Sequence, residues 1–399
     1  MRRHSAVEMS GSGHASPVVS GGQVVKDRGA RRCQRRITEL LGAADIRING
    51  DRPWDPRIHT EAFYPRVMSQ GTLGLGEAYM DGWWDCPALD EFVHRALTAD
   101  LDAEIRPWRD GLHVLWAKLV NLQTRERAFE VGEQHYDVGN DLYRRMLGKR
   151  LIYSCGYWKA ADNLDDAQEA KLDLACRKLG LEPGMRVLDI GCGWGETARF
   201  MAERYGVEVT GVTISREQAR FGQALCEGLP VDIRLQDYRD VDERFDRIVS
   251  IGMFEHVGYK NYPVFMDVAR RLLADDGLML LHTIGGLRSA ARTDPWIERY
   301  IFPNSMLPSA RQISDATEGR FVTEDWHNFG ADYDRTLMAW HDNFRQHWPE
   351  LEARYGERFR RMWEFYLLSC AASFRARRNQ LWQIVLSPRG IPGGYRAPR

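Results

Sequence analysis

Arg186-Val187-Leu188-Asp189-Ile190-Gly191-Cys192-Gly193-Trp194-Gly195 is the stretch on which the fold turns. An apolar run carrying an acid meets three alternating glycines, and a helical period, Glu196 to Tyr205, follows at once. Glycine permits the tight turn and lets a ligand approach the backbone, while the first turn of the helix offers free amides. The spacing is Gly-x-Gly-x-Gly, whereas a dinucleotide pyrophosphate site wants Gly-x-Gly-x-x-Gly. Outward from this loop, four more apolar runs read as buried strands: Val207 to Val212, Val231 to Leu235, Asp246 to Ile251 and Leu278 to His282. Helical stretches separate them. That alternation predicts an α/β fold with a doubly wound sheet.

Composition narrows the partners. Lys+Arg number 55 against 56 Asp+Glu, a formal net charge of −1, so the electrostatic case for nucleic acid as the main partner is absent. A local basic face on a membrane surface stays open, because net charge averages over faces. Seven scattered cysteines with no Cys-x-x-Cys pair argue against a metal site or a disulfide framework, and fit a reducing, cytoplasmic setting. No apolar run approaches the ~20 residues a spanning helix needs, and no apolar stretch follows Met1-Arg2-Arg3-His4 as a secretory signal would require.

Four regions are expected. Residues 1–32 read as a polar, disordered leader. Residues 33–105 read as a small, mainly helical N-terminal domain for membrane docking or dimer contact. Within it Arg36 to Leu41 looks helical, Ile46 to Ile48 before Asn49-Gly50 looks like a strand and turn, and the Gly-rich run Gly71 to Trp84 reads as a structural turn. Residues 106–134 carry an amphipathic stretch, Trp108 to Leu122, read as a linker helix with lipid contact as the alternative. Residues 135–399 hold the catalytic domain.

The loop Asp189 to Gly195 resembles motif I of S-adenosylmethionine methyltransferases, which makes the sheet Rossmann-like. Asp189, Gly191, Cys192 and Gly193 then belong to the cofactor site. Thr213 and Gln218 are the polar candidates after the second strand, where an acid usually binds the ribose. After the third strand Asp237 is placed to take the adenine amino group, with Tyr238 near the ring. The loop after the fourth strand is Gly252-Met253-Phe254-Glu255-His256, not the Asn/Asp-Pro-Pro-Tyr/Phe of enzymes that methylate DNA amino groups.

Longer blocks are more specific. His135 to Asp141, Tyr153-Ser154-Cys155-Gly156-Tyr157-Trp158, Met253 to Gly258, Leu281 to Gly285, Tyr300 to Asn304 and Trp326 to Tyr333 resemble the cyclopropane-fatty-acyl-phospholipid and mycolic acid cyclopropane synthases, over residues from about 37 to 388. Tyr153 and Ser154 join the cofactor site by this resemblance. It also implies a bicarbonate ion held by Cys155, Glu255, His282, the Ile284 backbone and Tyr333, acting as base toward a carbocation formed when an alkene takes the sulfonium methyl. It further implies a homodimer that touches the inner face of the membrane peripherally. Departures at Glu196, Gly156 and Ser305 bear on substrate preference and remove no catalytic group. The rival expectation is a related olefin C-methyltransferase whose product is methyl-branched or a methylene. A small-molecule N- or O-methyltransferase and a lipid-binding protein without catalysis are further alternatives.

Overall fold

The computed structural model describes residues 21–101 and 139–399. The first helix, α1 (Gly21–Ala43), takes in residues 21 to 32 that the sequence assigns to the leader. The expected linker helix at 106–134 lies outside the described residues. After α1 come β1 (Arg57–Ile58), α2 (Phe63–Gln70), α3 (Thr72–Met80), β2 (Trp84–Asp85) and α4 (Leu89–Thr98).

Two local expectations fail in this region. Ile46 to Ile48 forms no strand. The buried Asp55 carboxylate accepts the Arg47 amide at 2.8 Å, and the Asn49 side chain accepts the Ile58 amide at 2.8 Å. These bonds occupy the chain that a hairpin would need. The run Gly71 to Trp84 is mostly the helix α3 rather than a turn. Its glycines serve close packing: a Cβ at Gly76 would sit 2.5 Å from the Trp296 ring, and one at Gly74 would sit 2.6 Å from the Arg66 carbonyl.

From residue 139 the chain continues with α5 (Asn140–Met146), α6 (Leu164–Leu179), β3 (Arg186–Ile190), α7 (Glu196–Tyr205), β4 (Glu208–Thr213), α8 (Arg216–Leu225), β5 (Val231–Leu235) and β6 (Phe245–Ile251). Then follow α9 (Tyr262–Leu272), β7 (Leu273–Gly286), α10 (Pro295–Tyr300), α11 (Ala310–Thr317), β8 (Val322–Asn328), α12 (Ala331–Arg375, broken at Gly356) and β9 (Asn379–Ser387). The sheet runs β5-β4-β3-β6-β7-β9-β8, with β9 antiparallel to both β7 and β8. All five strands read from the sequence are present. The antiparallel β9 and the edge strand β8 are additional.

Order reverses beside β3. The chain winds outward through β4 and β5, then returns to add β6 on the other side. Such a switch point opens a crevice at the carboxyl ends of the strands. The expected small N-terminal domain closes no core of its own: Ile37, Phe63, Trp84 and Phe92 share one buried cluster with Trp340 and Trp363 of α12. Arg361 of α12 ties the regions by donating to the Tyr79 and Trp84 carbonyls and to Asp85.

Candidate active site

At the switch point lies a cavity of about 240 Å³. The β3 loop forms its floor, with Gly191, Gly193 and Gly195 at φ 83°, 55° and 86°. Side chains on L-residues resist this backbone region, so the glycine spacing follows from geometry. Thr213 and Gln218, five residues apart, are joined directly: Thr213 Oγ1 donates to Gln218 Oε1 at 2.9 Å. Ser215 caps α8 by accepting the Gln218 amide, and the Ser215 amide donates back to Thr213. Asp237 is clamped by Arg239, whose guanidinium donates to both carboxylate oxygens at 2.8 and 2.6 Å.

All ten residues expected at the cofactor site, Tyr153, Ser154, Asp189, Gly191, Cys192, Gly193, Thr213, Gln218, Asp237 and Tyr238, line this one cavity. Sequence reasoning missed Met253, His256, Asn261, Pro303 and Asn304, which close its other side. All but Asn261 carry a signal, since they sit in the blocks Met253 to Gly258 and Tyr300 to Asn304.

The expected catalytic residues lie elsewhere. Cys155, Glu255, His282, Ile284 and Tyr333 do not line the cavity, yet Cys155 follows Tyr153-Ser154 directly, and Glu255 stands between Met253 and His256. The same two segments therefore present one group of residues to the cavity and another to the interior behind it. Cys155, Glu255, His282 and Tyr333 are all buried. The Ile284 amide donates to Glu255 Oε1 at 2.8 Å, so this amide holds the carboxylate. Tyr333 lies within electrostatic reach of Glu255, Cys155 and Tyr366.

Burial sets the protonation of each group. It pushes the Cys155 thiol and the Tyr333 phenol well above their ordinary values, so neither is a nucleophilic anion. It lowers His282 well below the ordinary imidazole value, aided by the nearby Lys171 and Lys178 charges, and keeps the ring neutral. It raises Glu255 from the ordinary 4.5 to about 7, against the lowering effect of the Ile284 amide.

Two residues that sequence reasoning missed orient this group. Gln383 on β9 pairs with His282 across the antiparallel ladder, and its Nε2 lies 3.3 Å from His282 Nδ1. An amide donated to Nδ1 leaves the neutral ring's proton on Nε2. Thr336 on α12 gathers the Cys155 segment: its hydroxyl accepts the Gly156 amide at 3.1 Å and Trp158 Nε1 at 2.8 Å, and donates to the Asp332 carbonyl at 3.0 Å. Thr336→Val leaves two buried N–H groups unpaired, at about 1–3 kcal/mol each. Urea unfolding should therefore show a loss of about 2–4 kcal/mol. A loss under about 0.5 kcal/mol would mean that these bonds contribute nothing to the segment's position.

An anion test follows from unsatisfied atoms. Glu255 Oε2 and His282 Nε2 are buried and have no hydrogen-bond partner. One accepts and the other donates, and the Tyr333 hydroxyl is a second donor. Bicarbonate carries one O–H and acceptor oxygens, so its chemistry matches this donor and acceptor set. Among the described residues no cluster of three or more His, Cys, Asp or Glu could hold a metal ion.

Residues 123–384 match the family model described as mycolic acid cyclopropane synthetase. The chain belongs to that family. It is 55% identical over 366 residues to the cyclopropane-fatty-acyl-phospholipid synthase of Escherichia coli K12, covering 92% of this chain and 96% of that one. It is 38% identical over 262 residues to cyclopropane mycolic acid synthase 1 of Mycobacterium tuberculosis, covering 61% and 91%. A mycolic acid cyclopropane synthase solved with SAH and CTAB superposes with a TM-score of 0.61 at 36% identity, over 65% of this chain and 97% of that one. The chain is thus an S-adenosylmethionine-dependent methyltransferase of the cyclopropane synthetase family. No helix among the described residues is long and apolar enough to cross a membrane.

Proposed function

We propose that the enzyme adds the methyl carbon of S-adenosylmethionine across the cis double bond of an unsaturated phospholipid acyl chain and closes a cyclopropane ring. The observation that carries this reading is the burial of the group behind the cofactor cavity, in which Glu255 is the residue that carries charge. Cys155 and Tyr333 stay protonated, His282 stays neutral, and none is exposed. Such a site supplies no side-chain anion as nucleophile, and the reaction proposed needs none. It suits an alkene, a weak π nucleophile that needs alignment and exclusion of water.

Attack on the sulfonium methyl leaves positive charge on the acyl chain. Aromatic faces are suited to that charge. Tyr153, a cavity residue, packs on Phe302 and Trp340 at 6.1 and 5.3 Å, and Tyr333 packs on Trp340 and Phe374 at 5.9 and 4.6 Å. These rings form a continuous wall from the cavity to the catalytic group. They also keep out water that would trap the cation as an alcohol. Ionised Glu255 adds a fixed negative charge nearby. The His282 Nε2 proton, the Tyr333 hydroxyl and Glu255 Oε2 are the contacts for bicarbonate. When bound there, bicarbonate supplies the base that takes one proton from the new methyl and so closes the ring.

The substrate class, by the same reading, requires peripheral contact with the inner membrane face, and the enzyme acts there as a homodimer. The resemblance to the Escherichia coli synthase over nearly its full length supports the phospholipid over a mycolic acid as acceptor. Incubation with S-adenosylmethionine and vesicles of unsaturated phospholipid should give acyl chains heavier by one CH2, with loss of the alkene proton signals and appearance of ring protons. Methylation confined to soluble amines or alcohols would refute the proposal.

A further inference from the structure

Lys171 is a lysine side chain with no solvent exposure, and burial lowers its amine from 10.5 to about 7 against the opposing pull of Asp189. Neither the cofactor cavity nor the catalytic group described above accounts for it. It lies on α6 one turn after Gln168, also buried, and the two side chains reach the same residue. Gln168 Nε2 donates to the Ser154 carbonyl at 2.8 Å, and Lys171 Nζ donates to Ser154 Oγ at 3.0 Å. Ser154 lines the cavity. A methionine would fill the same space without desolvating a charge, so packing alone does not explain the lysine.

A serine hydroxyl has one proton and two acceptor lone pairs. An Nζ–H donated to one lone pair turns the hydroxyl's own proton away from the lysine. Asp189, within electrostatic reach of Lys171, lines the same cavity, and its Oδ2 is buried with no hydrogen-bond partner. Asp189 thus offers an acceptor for an ammonium group, which leaves Ser154 to serve as a donor. We propose that Lys171 is a positioning residue that holds the Ser154 hydroxyl as a hydrogen-bond donor to the carboxylate of the S-adenosylmethionine amino-acid tail. The proposal rests on the reading of this cavity as the methyl donor's site. It adds a basis for selecting the carboxylated donor.

Calorimetric titration of the full chain with S-adenosylmethionine and with its decarboxylated analogue tests this. The parent must bind S-adenosylmethionine first; absence of binding would overturn the cavity reading and the proposal with it. Lys171→Met and Ser154→Ala should each weaken S-adenosylmethionine by about tenfold. The double variant should bind no more weakly than the weaker single, because the two act through one hydroxyl. Binding of the decarboxylated analogue should stay within about twofold in all three. A purely structural lysine would instead lower resistance to urea and weaken both ligands alike. That result, additive losses, or unchanged binding of S-adenosylmethionine by Lys171→Met would each overturn the proposal. Should Lys171→Met fail to fold, Ser154→Ala decides alone: equal weakening of both ligands overturns the assignment of the hydroxyl to the carboxylate.

Discussion

Replacing Glu255 by Gln should lower turnover by about two to three orders of magnitude and leave S-adenosylmethionine affinity within about twofold. The carboxylate lies behind the cavity rather than on its wall, so binding of the methyl donor does not depend on it. The amide keeps an oxygen for the Ile284 N–H, which now donates at 2.8 Å, so the local fold survives. What disappears is the negative charge beside the developing cation. Parallel loss of affinity and turnover would mark Glu255 as a structural residue.

The same substitution carries a pH signature. Burial raises Glu255 from 4.5 to about 7, so the parent's native state binds a proton that the unfolded chain releases between those values. Stability from this group is fully present below 4.5, falls as pH rises through about 7, and is level above. Glu255→Gln removes that slope. Relative to the parent it should gain up to about 3 kcal/mol between acid and pH 8 in urea unfolding. Turnover runs the other way. It needs the ionised form, so kcat should rise through about pH 7 in the parent, and that limb should vanish in the variant.

Gly191→Ala is the second large expected effect. Gly191 sits at φ 83°, which an alanine resists, and its new Cβ would lie 2.7 Å from Met253 Cβ and Cγ. Backbone strain and overpacking together should cost about 3 kcal/mol of stability. Met253 also lines the cavity, so displacing it should weaken S-adenosylmethionine at least about tenfold. Gly193→Ala is the control. Its φ is 55°, but the Cβ would meet nothing within 4 Å, so its stability cost should stay near 1 kcal/mol. Equal cost at the two positions would show that contact with Met253 is unimportant and that backbone strain alone sets the glycine requirement.

The contrast between these glycines bears on what a sequence can disclose. The Asp189 to Gly195 loop is legible because turn, strand and helix adjoin in the chain, and every residue expected around the cofactor does line one cavity. Gly76 is opaque. Its reason is the Trp296 ring, some two hundred residues away, so a packing glycine inside α3 looks like a turn. The strand β9 is opaque for the same cause. It follows the long helix α12 yet inserts between β7 and β8, and its Gln383 becomes the partner of His282 only through that insertion. Lys171 carried no local mark either, because its partner Ser154 lies on a preceding loop. The expected catalytic residues rest on family resemblance. The structure adds that the Ile284 amide holds Glu255, a pairing no spacing rule provides.

The claim that the cation is deprotonated to a ring is tested most directly with S-adenosylmethionine carrying a fully deuterated methyl group, given to the enzyme with vesicles of unsaturated phospholipid. The account predicts an acyl product that retains two of the three deuteriums, both on a cyclopropane carbon by NMR. A product that keeps all three on a methyl branch, or two on an exocyclic methylene, would contradict it and assign the enzyme to olefin methylation without ring closure.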